Sequence, residues 1–298
     1  MDRRTLLAAA AAALAGSRLS VSAQEATPSS GGLGSLVLPE LSVKVTDTAY
    51  EGIPEEVTAG RYLLRTDLPV DTDEAVGFLK LPDGMDVPGF LDVLQQESEG
   101  PPDWYYTTEH AGGVSGPGPA VINLTPGAWL VWGDNPGAMT PPFGFTVTGE
   151  AVATPEPSSD IPADVTIEMS EYAFKIDGTL RPGHQTIAVI NVGAQPHFII
   201  GLATPERVSG EQIMRLLELD MSGATPEAGE DLPDPEAFRP ALYVPTLSSG
   251  RSEWLEVDLQ AGWHALFCFV PDLETGEPHA MKGMYEIVEI GGSATPTS

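Results

Sequence analysis

Trp254-Leu-Glu-Val-Asp-Leu-Gln-Ala-Gly-Trp-His-Ala-Leu-Phe-Cys-Phe-Val270 holds two apolar runs separated by a turn containing Gly262. Each run has the length and the Val, Leu, Phe and Trp content of a strand, and a Gly between such runs marks a turn. The first half of the chain repeats the pattern in Val121-Ile-Asn-Leu-Thr-Pro-Gly-Ala-Trp-Leu-Val-Trp132. Flanking segments match as well. Leu41 to Ala49 corresponds to Val165 to Ile176, Thr58 to Arg65 corresponds to Arg181 to Ile190, and Val76 to Leu81 corresponds to His197 to Leu202. Phe143 to Gly149 and Gly283 to Ile290 close the two halves. One short helix falls in a connection of each half. Ser209-Gly-Glu-Gln212 is a capping box before Ile213, Met214, Leu216 and Leu217, and Pro88 suits the first turn before Phe90, Leu91, Val93 and Leu94. An irregular acidic or aromatic loop follows each helix. Many short strands with regular turns predict an all-β protein of two tandem Greek-key β-sandwiches, each with a short helix in a connection.

The length of 298 residues suits about two domains. Ala-Thr-Pro recurs at Ala26, Ala153, Ala203, Ala224 and Ala294, and three of these copies fall in low-complexity stretches: 24–36, 151–163 and the 292–298 tail with the residue before it. The Pro- and Ser-rich 151–163 segment is the expected boundary between domains at 37–150 and 164–291. Residues 1–23 read as an export signal: a charged start at Asp2-Arg3-Arg4, an apolar run from Thr5 to Ala15, and a small-residue cleavage site at Val21-Ser22-Ala23. The Arg pair is compatible with either the general secretory or the twin-arginine route. The expected location is periplasmic or extracellular. The apolar run is too short to span a bilayer, which takes about 20 residues.

Charge narrows the partners. Lys plus Arg number 14 and Asp plus Glu 43, for a formal net charge of -29. Without residues 1–23 the chain carries -31. Such a surface repels phosphate backbones, so nucleic acid is excluded, and it favours a basic protein partner. The single cysteine, Cys268, forbids an intramolecular disulfide.

An unpaired cysteine in an exported chain calls for a role. The second half holds Asn191-Val-Gly-Ala-Gln-Pro-His197, then Cys268, then His279-Ala-Met-Lys-Gly-Met284. Two imidazoles, a thiolate and a thioether suit copper in an electron-transfer site, because the soft sulfurs favour Cu(I) and imidazole accepts both oxidation states. Taken singly, His197 fits a buried strand-end histidine, Cys268 a small core hydrophobe and Met284 a core side chain. Their joint order is what points to a metal.

That order resembles the cupredoxins, the plastocyanin- and azurin-like blue copper domains. In these a His follows an Asn-containing turn, a Cys ends a strand, and a second His and a Met lie in the loop before the last strand. The resemblance covers about 164–291 by motif and 37–150 by fold pattern. It implies one type 1-like copper with His197, Cys268 and His279 as equatorial ligands and Met284 as the axial ligand, and a task in electron transfer, for which the acidic surface would steer a basic redox partner. One departure is the spacing: ten residues separate Cys268 from His279, where two to four are usual in the family. Closing so modest an extra loop costs little entropy.

Other candidates rank lower. Met281 is a rival axial ligand, two residues after His279. His264 shares a strand with Cys268 but stands about 13 Å from it along an extended chain. His184 follows a turn Gly and reads as solvated, and His110 reads as part of a Gly-rich loop. Trp104, Tyr105 and Tyr106 form either an exposed aromatic patch or a cover over a core edge. The first half lacks the ligand set: Val76 stands where His197 would be, and Gly133 near where Cys268 would be.

The enzyme readings fit poorly. A multicopper oxidase needs paired His-x-His motifs, and this chain has five His and none so paired. A copper nitrite reductase would place a His beside the cysteine, where this chain has Phe267 and Phe269. A thiol-protease cysteine needs a lowered pKa, which an apolar strand does not provide. Three readings remain: a blue-copper electron carrier, a copper-handling protein, and a copper-free cupredoxin-like binding module.

Overall fold

The computed structural model describes residues 32–68, 75–95, 101–116, 118–134, 140–150 and 161–291. The expected export signal at 1–23, most of the 24–36 stretch, residues 151–160 of the Pro-rich segment and the 292–298 tail lie outside the described residues.

The first half contains β1 (Glu40–Val45), β2 (Tyr50–Glu51), β3 (Glu56–Thr58), β4 (Gly60–Asp67), β5 (Val76–Lys80), α1 (Val87–Gln95), β6 (His110–Val114), β7 (Ala120–Leu124), β8 (Gly127–Gly133) and β9 (Phe143–Thr148). The second half contains β10 (Val165–Ser170), β11 (Ala173–Gly178), β12 (Gly183–Asn191), β13 (His197–Thr204), α2 (Gly210–Ser222), β14 (Arg239–Leu247), β15 (Ser252–Leu259), β16 (Gly262–Phe267) and β17 (Tyr285–Ile290). The Ser209 capping box forms, with Gln212 N–H donating to Ser209 Oγ at 3.2 Å and Ser209 N–H to Gln212 Oε1 at 3.0 Å. Alternation sets the layers. β10 buries every second residue from Val165, and β1 does the same from Leu41, as strands with one face on a core must.

Two large sheets run through both halves. One has the order β11-β10-β12-β15-β7-β4-β1-β2 and the other β17-β16-β13-β14-β6-β5-β8-β9-β3. The pattern is symmetric. β10, β12 and β15 occupy the places that β1, β4 and β7 hold in the first half, and β13, β14, β16 and β17 those of β5, β6, β8 and β9. At each seam a strand pairs antiparallel with its own counterpart: β15 with β7 through Trp254–Val121 and Leu255–Ala120, and β14 with β6 through Leu247–Ala111. This is how two copies related by a two-fold axis associate. The all-β, tandem-sandwich architecture read from the sequence is present, with the halves fused edge to edge in both sheets.

Three local features depart from the sequence reading. β6 and β14 fall in segments read as loops. β6, His-Ala-Gly-Gly-Val, has no alternation because all five residues are buried; Gly112 leaves room for Glu253 of the opposite half and Gly113 for the Val76 backbone of β5. β14 carries Pro240 and Pro245, which weaken any strand signal. Each is held mainly by a ladder within its own half, β14 by β13 and β6 by β5, and the single pair Leu247–Ala111 joins them across the seam. The run Val165 to Ile176, read as one strand, folds back as a two-residue hairpin at Glu171-Tyr172. Tyr172 has φ 65°, a left-handed conformation that a tyrosine seldom adopts and that sequence does not announce.

Polar contacts fasten the seam. Arg251 of the second half pairs with Glu109 of the first, which also holds Lys80 at 2.8 Å. Asp134 accepts from Thr246 N–H at 2.6 Å, and Ser248 Oγ accepts from His110 N–H at 2.8 Å. The Glu253 carboxylate reaches Gly113 N–H at 2.7 Å. His110 is therefore a buried strand residue, with Nε2 3.0 Å from Tyr105 O, and the expectation of a loop position is corrected. The aromatic segment ahead of it covers the seam, with Tyr105 Oη 3.4 Å from Thr246 Oγ1 and Tyr106 donating to Pro271 O at 2.8 Å.

Candidate metal centre

His197 opens β13, Cys268 directly follows β16, and His279 and Met284 bracket a short helical turn before β17. Asn191, fully buried, shapes the approach to His197. Its Nδ2 donates to Gln195 O at 2.7 Å and Leu247 O at 2.8 Å, and its Oδ1 accepts from Gly193 N–H at 2.9 Å. An Asn is suited to this because its amide can donate and accept at once.

Cys268 Sγ lies 3.7 Å from His197 Nδ1 and 3.7 Å from His279 Nδ1, and the two Nδ1 atoms lie 3.1 Å apart. The centre of the circle through three atoms so spaced is about 2.0 Å from each. Protein metal–nitrogen distances are about 2.0–2.1 Å and metal–sulfur distances about 2.3 Å, so one ion fits in the plane of the donors. All three side chains have 0% exposure. Among the described residues they are the one group of three or more His, Cys, Asp or Glu side chains able to hold a single ion. With their protons on Nε2, both Nδ1 lone pairs point into the same space, an arrangement that a cation relieves.

Met284 is fully buried beside this group. Its N–H donates to His279 O at 2.9 Å and its carbonyl accepts from Cys268 N–H at 3.2 Å, so its backbone ties Cys268 to His279. Met281 is partly exposed. His264 is buried against Gln260 O at 2.9 Å, and His184 is exposed, 3.4 Å from Glu256. Neither joins the group.

The ten-residue loop returns His279 through its own hydrogen bonds. Pro271 and Pro278 form a β-bridge, Asp272 N–H donates to Glu277 O at 2.8 Å, and Gly276 N–H donates to Asp272 O at 2.8 Å. His279 N–H then reaches Val270 O at 2.9 Å and Ala280 N–H reaches Cys268 O at 2.7 Å. Asp272, 2% exposed, anchors the loop: its carboxylate accepts from Tyr172 Oη at 2.7 Å, Gln195 Nε2 at 2.9 Å and Thr275 N–H at 3.0 Å, with Lys282 Nζ at 3.0 Å. Burial alone would raise its pKa. Hydrogen bonds from Gln195, Tyr172, Lys282 and Thr275 outweigh that and hold it well below the usual carboxylate range.

Burial pushes the Cys268 thiol up to about 12, partly offset by backbone N–H groups of Phe198 and Val270. Burial pushes His279 down to about 4, and burial with repulsion from His279 pushes His197 down to about 4. Without an ion the site at neutral pH is a thiol between two neutral imidazoles. Neither ring has to lose a net proton to bind, and binding an ion requires the thiol to release one.

Three neighbours escaped the sequence reading. Asp272 could have been suspected as the buried acid of a ligand loop. Glu171 and Tyr172 had no signal, because only the hairpin brings them to the two histidines. In the first half the counterpart positions are apolar or bare: Val76, fully buried, opens β5, and Gly133 ends β8.

The all-β, two-sandwich architecture is the one that the cupredoxin resemblance implied, and the structure brings His197, Cys268 and His279 of the second half together. No protein-family model and no curated protein matches the sequence. Among solved structures, the dithionite-reduced auracyanin of Roseiflexus castenholzii is 20% identical over 42% of this chain and 94% of its own, with a TM-score of 0.28. Auracyanin A of Chloroflexus aurantiacus, described as a blue copper protein, is 19% identical over 42% of this chain and 98% of its own, with a TM-score of 0.25. A copper nitrite reductase from Nitrosomonas europaea is 10% identical over 87% of this chain and 96% of its own, with a TM-score of 0.22. Likenesses this distant do not assign a function. Among the described residues no helix is long and apolar enough to cross a membrane.

Proposed function

We propose that this protein is an exported electron carrier that binds one copper ion in its second half, with His197, Cys268 and His279 as equatorial ligands and Met284 as the axial one. The observation that carries the reading is the donor triangle, whose 3.7, 3.7 and 3.1 Å sides leave room for one ion in the plane. A copper ion there supplies a one-electron couple. The chain supplies rigidity, since both seams, the Asp272 network and the backbone ties between Cys268, His279 and Met284 hold the donors where either oxidation state can use them. Full burial of the donors favours a resident ion over one in transit, and excludes water from it. The formal charge of -31 without residues 1–23 favours a basic redox partner.

The test is titration of the metal-free protein with Cu(II). The expected result is uptake of one equivalent with an intense blue absorption, abolished by Cys268→Ser. Met284→Leu should shift the reduction potential while keeping the colour. Colourless uptake would replace electron transfer with copper handling, and no uptake by folded protein would leave a copper-free binding module.

A further inference from the structure

The hairpin tip between β10 and β11 meets both ligand histidines. Tyr172 lies edge-on to His279, ring centres 5.5 Å apart, and Glu171 Oε1 stands 3.5 Å from His197 Nε2. His197 Nε2 is buried and makes no hydrogen bond of ordinary geometry within the chain, so a hydrogen carried there needs an acceptor, and the Glu171 carboxylate faces it. The Glu171 carboxylate is aimed rather than loose. Its Oε1 also accepts from Ala194 N–H at 2.5 Å and Gln195 N–H at 2.9 Å, the residues that lead into His197. Gly193 keeps the gap clear, for a Cβ there would lie 2.6 Å from Glu171 Oε1 and 2.9 Å from His197 Nε2. The tip itself is pinned. Tyr172, the one non-glycine with positive φ among the described residues, donates its hydroxyl to Asp272 at 2.7 Å and carries Lys282 Nζ over its ring at 4.5 Å.

We infer that Glu171 is a positioning residue that draws the His197 proton to Nε2 and so leaves Nδ1 as the lone pair aimed at Cys268 and His279. A neutral imidazole has one N–H, and the acceptor at one nitrogen decides which nitrogen is left to donate. An anionic acceptor also strengthens the ring as a ligand, and loss of such a partner typically costs 10–100-fold in metal affinity. The effect on copper rests on the function proposed above. The orientation of the ring does not.

The ring is therefore read first in the metal-free protein. Nitrogen–proton correlation spectra of the full chain should show His197 protonated at Nε2 with slow exchange. In Glu171→Ala that proton should exchange at least tenfold faster and both tautomers should appear, whereas Glu171→Gln, which keeps an oxygen acceptor, should retain the Nε2 form. Gly193→Ala, which leaves Glu171 in place but wedges a methyl between the partners, should behave like Glu171→Ala and covers the case where that variant fails to fold. On adding Cu(II), Glu171→Ala should bind 10–100-fold more weakly than wild type. An unchanged tautomer and exchange rate in either folded variant would overturn the inference. If wild type takes up no copper, the proposed function fails while the ring measurement still decides this one.

Discussion

Tyr106, in the half without ligands, donates its hydroxyl to Pro271 O, 2.8 Å away in the loop between Cys268 and His279. The first half thus braces the part of the site whose spacing departs most from that of the cupredoxins it resembles. Tyr106→Phe should cost about 0.5–1.5 kcal/mol of stability, the worth of one hydrogen bond. It should also speed copper release to a chelator several-fold with the far-ultraviolet circular dichroism unchanged. Equal melting and release rates would mean that the loop stands without that brace.

Asp272 should be the most sensitive position outside the ligands. Asn in its place offers one accepting oxygen and no charge, leaving donors from Tyr172, Gln195, Thr275 and Lys282 competing for it. Asp272→Asn should destabilise the protein by about 1.5–3 kcal/mol at pH 7, seen in urea unfolding. The sign with pH follows from its lowered pKa. The native state favours the ionised form, so wild-type stability from this group is present above the unfolded carboxylate pKa and fades as pH falls through the folded one. The gap between wild type and variant should shrink in acid.

Metal uptake should release a proton. The thiol is near 12 and both imidazoles near 4, so at pH 7 one proton leaves with each ion bound. Calorimetry in buffers of different ionisation heat should give about one proton per copper, and the apparent affinity should rise about tenfold per pH unit between about pH 5 and 11. Zero protons at pH 7 would mean that the thiolate already exists in the metal-free site.

Glu253 fills the seam from β15 with 0% exposure, pairing with Gly113 and leaving Oε1 without a partner. Burial raises its pKa well above the carboxylate range. A raised folded pKa makes stability fully present below the unfolded value and lost as pH rises toward the folded one. Glu253→Gln, which keeps the oxygen for Gly113, should therefore flatten the alkaline side of the stability profile and be at least as stable as wild type at pH 8. A marked loss at that pH, measured by chemical denaturation, would show that the carboxylate is charged in the native seam.

Much of this molecule was legible in order along the chain. Strands such as Val165–Ser170 announce themselves by alternation, and the Ser209 cap by its own local bonds. The three donors could be named because each sits at the end of a strand or in the turn that follows one. β6 and β14 were not legible, since glycines and prolines make poor strands until neighbours distant in sequence, β5 and β13, pair with them. The Glu171-Tyr172 hairpin was hidden for a related reason: neither residue favours a tight turn, and the left-handed Tyr172 is held there by Asp272, a hundred residues away.

The sequence by itself determined the all-β character, the internal repeat, and His197, Cys268 and His279 as the candidate donors of one half, because strand periodicity and donor chemistry are local properties. Tertiary structure decided the rest. It brought the Nδ1 atoms of His197 and His279, 82 residues apart in the chain, to 3.1 Å, and it fused both sheets across the seam. It also set Glu171 and Asp272 against the site. Those distances depend on how strands far apart in sequence register and pack, and a register is a property of pairs, which no single stretch of chain contains.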